Sequence, residues 1–319
     1  MSTSDDIEDS AAPLLEHLAE LRTRLIYSVA AFFVAWMACF AVSGPILEFL
    51  LQPIENSLRN LGDANPTMQY TAPQEYFFTL IRVSVVAGLI VAFPIIAFQL
   101  WRFVAPGLYK NEKNAFLPFL LSSPILFLLG AAFAHFVVVP LAMAFFLGFA
   151  DFPSMFQAFV NENFVPPTDG AGAAQVVAPV VDNGITIVFD GKVNETLDIT
   201  LKLILAFGIC FQLPVLLTLL GTAGLASSRG LRHVRKYAIV GIMILAAVVT
   251  PPDVITQLIL FAVVYGLYEI SIHLVKGVEN RKDRKARADG IIGEDESLFD
   301  IDDDEDEDDD LEATEEPKA

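Results

Sequence analysis

The amino-acid sequence predicts an all-α polytopic membrane protein with six transmembrane helices, both termini in the cytoplasm and a short last pair of helices. Composition is the first reason: of 319 residues, 54% are hydrophobic and 26 are Phe, and the mean hydropathy is +0.54. A soluble domain of this length is far less apolar. The other two reasons are six apolar runs and an uneven distribution of Lys and Arg among the connections between them.

The net charge of −19 comes mostly from the carboxy-terminal tail, because residues 294–319 hold sixteen Asp or Glu and one Lys. The rest of the chain has 23 acidic and 19 basic residues. Cys39 and Cys210 both lie in apolar runs, which supports neither a disulfide framework nor a metal site. No HExxH, GxSxG, GxGxxG or Walker motif is present, and the four His residues are scattered. We therefore expect no enzymatic activity, cofactor, metal or nucleic-acid partner.

The amino-terminal segment, residues 1–13, is polar and expected to be disordered. Between Leu14 and Leu25, Leu recurs every three or four residues and so marks one face of a helix. This pattern predicts an amphipathic surface helix that leads into the bilayer. Its predicted start is at Pro13, since proline is tolerated in the first turn.

Six apolar runs follow along the chain. A hydrocarbon core of about 30 Å needs roughly 20 helical residues, and the first four runs qualify. The fifth run would rise only about 20 Å, so the last pair either crosses a locally thinned bilayer or enters it as a re-entrant hairpin. The runs are Leu25–Val42, Phe77–Leu100, Ala115–Val139, Leu203–Leu220, Tyr237–Val249 and Val254–Tyr268.

Lys and Arg concentrate in alternate connections: before the first run, between the second and third, between the fourth and fifth, and after the sixth. The intervening connections carry only Arg59 and Lys192. Because cytoplasmic loops are enriched in Lys and Arg, this distribution predicts cytoplasmic termini and a multi-pass protein of the cytoplasmic (inner) membrane.

The two long outer connections have different patterns. The first, Ser43–Tyr76, predicts an amphipathic helix on the outer surface. The second has an insertion at about residues 150–198, in which an alternating segment ending at Asp190-Gly191 predicts a β-hairpin. At the carboxy terminus, residues 277–319 are predicted as a basic and then acidic disordered tail, whose basic part would contact anionic membrane lipid.

Polar residues inside the apolar runs are costly in lipid and therefore informative. Arg82 and His135 lie near the outer ends of their runs, where Arg82 can extend its charge to the surface. Gln212 lies mid-membrane beside Pro214, so its amide needs a partner inside the bundle. Glu269 is expected to pair either with His273, four residues away, or with a cation of a loop.

Four ordered motifs resemble the TatC family, the multi-spanning subunit of the twin-arginine protein translocase. The resemblance covers residues 14–276 apart from the second outer loop. It implies a receptor for the twin-arginine signal peptides of folded cargo, which assembles with TatA- and TatB-like single-span subunits and forms a homo-oligomer within a larger complex. The motifs are HLAELRTRL (17–25), WRFVAPGLYKNEK (101–113), FQLPV (211–215) and VVTPPD (248–253).

The resemblance also implies site residues. Glu20 and Glu112 would be the recognition carboxylates, with Phe103 as the neighbouring aromatic residue. Two guanidinium groups of a signal peptide would suit two carboxylate acceptors. The remaining implied positions are Arg22 and Arg24 of the amino-terminal motif and Asp253 in the outer turn, where it follows Pro251 and Pro252. Gln212 and Glu269 are expected as intramembrane polar or partner contacts because they are polar residues in apolar runs.

The alternative is a secondary transporter or channel for a small solute, since six spans with a mid-membrane amide would also suit that function. Transporters of that kind usually contain internal repeats, and no repeat is found in this sequence. The family also often carries Glu at the position of Gln212, so a titratable proton is not implied there.

Overall fold

A computed structural model describes residues 5–60, 65–108, 113–148, 191–250 and 253–288, together with residues 290, 291, 293 and 299. Within these ranges the chain is almost entirely helical. The helices are α1 Asp5–Ala41, α2 Ser43–Asn60, α3 Pro73–Leu108, α4 Lys113–Phe133, α5 Val139–Gly148, α6 Val193–Cys210, α7 Leu213–Thr222, α8 Ser228–His233, α9 Arg235–Val249 and α10 Val254–Ala288. A π-helical turn, Ala134–Val138, joins α4 to α5, and the strands are β1 Met68–Gln69 and β2 Gly191–Lys192.

Five stretches within these helices are long and apolar enough to cross a membrane, and α9 adds a shorter sixth segment. The five are His17–Ala41, Pro73–Phe103, Leu120–Gly148, Val193–Thr222 and Val254–Ala288. With 15 residues, α9 rises only about 22 Å. The prediction of six helical segments and the prediction of a short fifth segment are therefore confirmed.

The sixth segment is longer than predicted, so the prediction that both of the last two helices are short is wrong for α10. The apolar run ends before Glu269, but α10 continues to Ala288 and has 35 residues. Charged residues extend it because they have partners: the carboxylate of Glu269 binds Arg235. Residues 277–288, assigned from sequence to the tail, therefore belong to this helix.

Helix α1 begins at Asp5, earlier than the start predicted at Pro13 and within the segment to which composition assigns disorder. The helix then continues without interruption through the predicted surface segment into the first membrane segment.

Contacts between Cα atoms divide the chain into two compact units, of which the first comprises residues 1–212 and 241–265. In this unit α1 packs along α3, and a Cβ atom at Gly88 would lie 2.7 Å from the backbone of Trp36. Helices α4 and α6 pack as closely, because a Cβ atom at Gly130 would lie 2.5 Å from the carbonyl oxygen of Phe207. Phe127 of α4 also stacks on Phe93 of α3 with ring centroids 3.8 Å apart. Missing side chains thus let these helices approach closely.

Helix α2 confirms the amphipathic helix predicted in the first outer connection. Its buried face carries Leu47, Leu50, Ile54 and Leu58, at spacings of three and four residues. The connection then forms β1, which pairs in parallel with β2. The hairpin predicted before Asp190-Gly191 lies outside the described residues except for Gly191, which belongs to this parallel pair.

The π-helical turn has a local cause. Pro140 lacks a backbone N–H and cannot continue the usual hydrogen-bond ladder, and the N–H of Val139 donates to the carbonyl oxygen of Ala134, five residues back. The turn contains His135, which is buried and stacks on Phe49 of α2 at 4.4 Å between ring centroids. His135 thus packs against α2 as a core residue.

The second unit comprises residues 213–240 and 266–319. Polar side chains of α10 bind the segment between α7 and α9. Glu279 accepts hydrogen bonds from the backbone N–H and the hydroxyl of Ser228, and the hydroxyl of Tyr268 donates to the carbonyl oxygen of Leu231 at 2.6 Å. Lys282 donates to the carbonyl oxygen of Thr222. These contacts explain why the helix remains ordered beyond its apolar part.

Candidate functional site

Glu20 lies on the part of α1 that precedes its most apolar turns. Its Oε1 accepts a hydrogen bond from Nη2 of Arg24, one turn later, at 2.9 Å. Nη1 of Arg24 in turn donates to Oε1 of Gln99 on α3 at 3.4 Å. The side chain of Glu20 is 33% exposed and that of Arg24 is 17% exposed. The carboxylate is therefore positioned by a contact that joins two helices, while part of it still faces outward.

An aromatic contact lies beside this ion pair. The rings of His17 on α1 and Phe103 on α3 stack with centroids 4.3 Å apart and planes 18° apart. His17 and Glu20 are three residues apart on α1, and Gln99 and Phe103 are four apart on α3, so both pairs share a helix face. We call the five residues His17, Glu20, Arg24, Gln99 and Phe103 the Glu20 patch.

The structure thus brings together three of the five residues that the sequence implied for peptide binding. Arg22 is exposed and, two residues after Glu20, projects from a different side of α1. Glu112 lies outside the described residues. Gln99 and His17 were not selected from sequence, although the i, i+4 spacing of Gln99 to Phe103 was a usable signal.

Gln212 finds a partner inside the bundle, as its position required. Its Nε2 donates to the backbone carbonyl oxygen of Ser123 on α4 at 2.9 Å, and the hydroxyl of Ser123 donates to its Oε1 at 2.6 Å. Both polar groups of the amide are therefore satisfied within the first unit. Ser123 was missed from sequence because a single serine in an apolar run commonly bonds its own helix.

Glu269 pairs with a loop cation, which is one of the two options left open by the sequence. Its Oε2 lies 2.6 Å from Nη2 of Arg235. His273 is exposed and is not the residue bound to this oxygen. Glu269 therefore links α10 to the start of α9 within the second unit.

Asp253 of the predicted outer turn caps the amino terminus of α10. Its Oδ2 accepts from the backbone N–H of Thr256 at 2.7 Å, and its Oδ1 accepts from the Thr256 hydroxyl. The residue is 3% exposed, so its contacts serve the helix. Pro251 and Pro252 lie outside the described residues. Across the residues that are described, no three His, Cys, Asp or Glu side chains cluster as metal ligands would.

Together these features define a polytopic helical membrane protein in which polar side chains join helices and the carboxylate of Glu20 is partly exposed. The profile of the Sec-independent protein translocase protein (TatC) family matches residues 16–262. The chain therefore belongs to the TatC family. The family resemblance seen in the four motifs is confirmed, and the function is that of a protein translocase component without enzymatic activity.

Relatives support this assignment over most of the chain. The TatC protein of Magnetococcus marinus is 40% identical over 284 residues, which cover 89% of this chain and 91% of the relative. The TatC protein of Aquifex aeolicus is 37% identical, covering 85% of this chain and 97% of the relative. A crystal structure described as the twin arginine translocase receptor TatC is 36% identical, with a TM-score of 0.62, and covers 82% of this chain and 99% of that chain.

Proposed function

We propose that the chain is a receptor that binds twin-arginine signal peptides of folded proteins at the cytoplasmic face of the inner membrane. Two observations support this proposal. Lys and Arg are concentrated in the connections on the side where the Glu20 patch lies, which favours a cytoplasmic location for that side. A related solved protein is described as a twin arginine translocase receptor. Because the chain belongs to the TatC family, the alternative function of a small-solute transporter is not supported.

The observation that carries the proposal is the geometry of Glu20. One carboxylate oxygen accepts from Arg24, and the half-buried position still leaves the other oxygen accessible. An incoming guanidinium group can bind that second oxygen through a charge-assisted hydrogen bond. The stacked ring of Phe103 lies next to it and can contact the guanidinium face, which contributes about 0.5–1 kcal/mol at an exposed site.

Arg24 has a specific part in this proposal. Its guanidinium group binds the carboxylate of Glu20 in the way that an arginine of the peptide would. Its hydrogen bond to Gln99 holds the ion pair, and with it the carboxylate, against α3. Arg22, which is exposed, would contact the peptide or the lipid beside it. Glu112 would supply the carboxylate for the second arginine of the motif.

The partners also belong to this proposal. TatA- and TatB-like single-span subunits and further copies of the chain would pack against exposed apolar faces of the bundle, and Gln212 and Glu269 would mark the polar positions near those contacts. Each of these two side chains already binds a residue of the chain itself, so a partner would contact the surrounding surface or exchange with the internal bond. Both termini would lie in the cytoplasm.

A binding measurement with matched ion pairs tests the proposal. The full-length protein, purified in detergent, is titrated with a fluorescent twin-arginine peptide, with a twin-lysine peptide as ligand control. We expect Glu20→Ala and Glu112→Ala each to weaken binding by about a hundredfold or more, because each removes a charge-assisted bond to an arginine. Glu55→Ala is the control, since Glu55 forms an ion pair of the same spacing with Arg59 at 2.8 Å on α2.

Wild-type affinity in the Glu20→Ala and Glu112→Ala proteins would contradict the proposal. An equal loss in Glu55→Ala would show that general surface charge, and not the Glu20 patch, governs binding. Melting temperatures of all three variants report whether any loss comes from unfolding, and we expect them to lie close to the wild-type value because Glu20 and Glu55 are partly exposed.

A further inference from the structure

The last turns of α10 and the neighbouring helix α8 form a basic surface within the second unit. Residues 213–240 and 266–288 hold ten Lys or Arg and three Asp or Glu. The carboxylate of Glu279 on α10 is bound by Ser228 at the start of α8, so cations of both helices lie close together. We call the exposed cations of α8 and of the last turns of α10 the basic surface. They are Arg229, Arg232, Lys276, Arg281, Arg284, Lys285 and Arg287.

The cations near the end of α10 lie beyond the lipid headgroups. A membrane span of about 20 residues that begins at Val254 ends near residue 273. Lys282 follows about nine positions later, which is about 13 Å further along the helix. A headgroup layer is only about 5–8 Å thick, and charges in water are screened beyond about 8 Å at physiological salt. Lipid phosphate is therefore too distant to neutralise the cations around Lys282.

Like charges neighbour one another on this part of α10. Arg281 and Lys285 are four positions apart, and Arg281 and Arg284 are three positions apart. Such pairs face each other on a helix and destabilise it, and a nearby anion offsets their repulsion. The helix nevertheless continues to Ala288. The basic surface therefore favours a partner that carries several negative charges.

The chain turns back along α10 after the helix ends. Gly290 has a φ angle of 70°, and the N–H of Ile291 donates to the carbonyl oxygen of Ala286 at 2.8 Å, a common glycine-ended helix terminus. Nζ of Lys282 then lies over the ring of Phe299, 5.8 Å from its centroid. Lys282 precedes Gly290 by eight positions, or about 12 Å along the helix. Between Gly290 and Phe299 the chain therefore returns toward the basic surface.

A polyanionic segment follows this contact directly. Residues 302–310 are nine consecutive Asp or Glu, which we call the acidic run, and the run begins three positions after Phe299. Three residues of extended chain reach at most about 11 Å, so the first carboxylates of the run stay close to α10. Such a short tether gives an effective concentration on the order of 1 mM, without any partner from solution.

We propose that the acidic run docks on the basic surface of its own chain. The contact of Phe299 with α10 holds the start of the run there. Its carboxylates then pair with Arg281 and Lys285 of α10 and with Arg232 of α8. Occupied in this way, the surface no longer attracts other polyanions from solution. The inference does not depend on peptide recognition, because the Glu20 patch belongs to the first unit.

Double electron–electron resonance on the full-length protein tests this docking. The buried native Cys39 and Cys210 are first replaced by Ala. Nitroxide labels are then attached at Glu312→Cys, just after the acidic run, and at His233→Cys, an exposed position of α8. The protein is reconstituted in nanodiscs that contain phosphatidylglycerol. We expect a narrow component of short distances from the docked run, whereas an undocked tail gives a broad distribution.

Salt provides a test that needs no further variant. Raising its concentration from about 0.1 M to about 1 M shortens the screening length from about 10 Å to about 3 Å. We expect this change to convert the narrow component into the broad one, because exposed ion pairs hold the run in place.

Two variants with equal changes of charge locate the surface. Arg281→Gln/Lys285→Gln removes two cations of the basic surface, and we expect the ratio of docked to undocked populations to fall about fivefold, because each exposed ion pair contributes modestly. The matched control Arg59→Gln/Lys202→Gln removes two exposed cations of the first unit and should leave the ratio unchanged. Neutralising residues 302–310, with every Asp replaced by Asn and every Glu by Gln, should abolish the narrow component.

A broad distribution in the chain with its acidic run intact would overturn the proposal, as would an equal loss in the control variant. Mixing the labelled protein with an excess of unlabelled protein tests for a second copy. Docking within one chain leaves the narrow component unchanged, and its loss would assign the run to a neighbouring copy and contradict the proposal. The measurement is repeated in phosphatidylcholine nanodiscs. A narrow component present only there would show that anionic lipid displaces the run, which would also overturn the proposal.

Discussion

Two ion pairs with the same spacing differ in what surrounds them. Glu20 and Arg24 on α1, and Glu55 and Arg59 on α2, are both Glu-to-Arg pairs at i and i+4. In the second pair, Nε and Nη2 of Arg59 both bind Oε1 of Glu55, and both side chains are about half exposed. In the first pair, Arg24 is mostly buried and also binds Gln99 on another helix. The contact between helices, and not the pair itself, distinguishes a positioned carboxylate from a solvated one.

The largest expected effect comes from reversing the direction of the first pair. The double variant Glu20→Arg/Arg24→Glu retains an ion pair on α1 but moves the carboxylate by one turn, away from Phe103. We expect twin-arginine peptide binding to fall by about a hundredfold, because the charge-assisted bond requires the carboxylate at its present position. The same reversal at Glu55 and Arg59 should leave binding unchanged. Peptide titration measures both, and wild-type binding by the reversed first pair would show that position is unimportant.

The second prediction extends the comparison to uncharged side chains within the bundle. Gln212→Leu removes both hydrogen bonds that join Gln212 to Ser123 on another helix, and it leaves the Ser123 hydroxyl without the amide oxygen as acceptor. This loss should lower the free energy of unfolding by about 1–3 kcal/mol. Thr200→Val is the matched change within one helix, since the Thr200 hydroxyl donates to the carbonyl oxygen of Thr196 at 3.0 Å. We expect a distinctly smaller loss there.

Thermal unfolding of the two proteins in detergent measures this difference. Gln212→Glu, the residue often found in the family at this position, should retain protein export, whereas Gln212→Leu should fold with reduced export. A Gln212→Leu protein as stable and as active as the wild type would show that this position contributes only packing.

The smallest expected effect comes from removing the contact of Arg24 with α3 while leaving the ion pair intact. Gln99→Leu eliminates the acceptor for Nη1 of Arg24, so Glu20 would be held by its own helix alone, as Glu55 is. We expect peptide affinity to fall about fivefold, corresponding to about 1 kcal/mol, which is typical of one hydrogen bond. Gln52→Leu, at an exposed position of α2, is the control, and an equal change in both would remove the distinction between the pairs.

Much of the architecture was predictable from local pattern. The apolar runs were sufficient to predict the six helical segments, and the amphipathic spacing was sufficient to predict α2. The extent of α10 was not predictable, because a charged residue normally ends an apolar run and the pairing of Glu269 with Arg235 depends on tertiary structure. The same applies to Ser123 and Gln99, because each of them binds a residue that is distant in sequence and lies on another helix. The recognition carboxylates came from the family motifs, and Glu112 and the peptide site remain predictions.

The parallel pairing of β1 with β2 sets an order for biogenesis. Met68 pairs with Gly191 and Gln69 with Lys192, so about 120 residues must be synthesised after β1 before its partner exists. At roughly 5–20 residues per second, this interval lasts about 6–24 s. During that time the ribosome completes α3, α4 and α5, and the first outer connection waits without its strand partner. The two connections can therefore pair only after α3, α4 and α5 have been synthesised, and nascent chains halted before residue 191 cannot form this pairing.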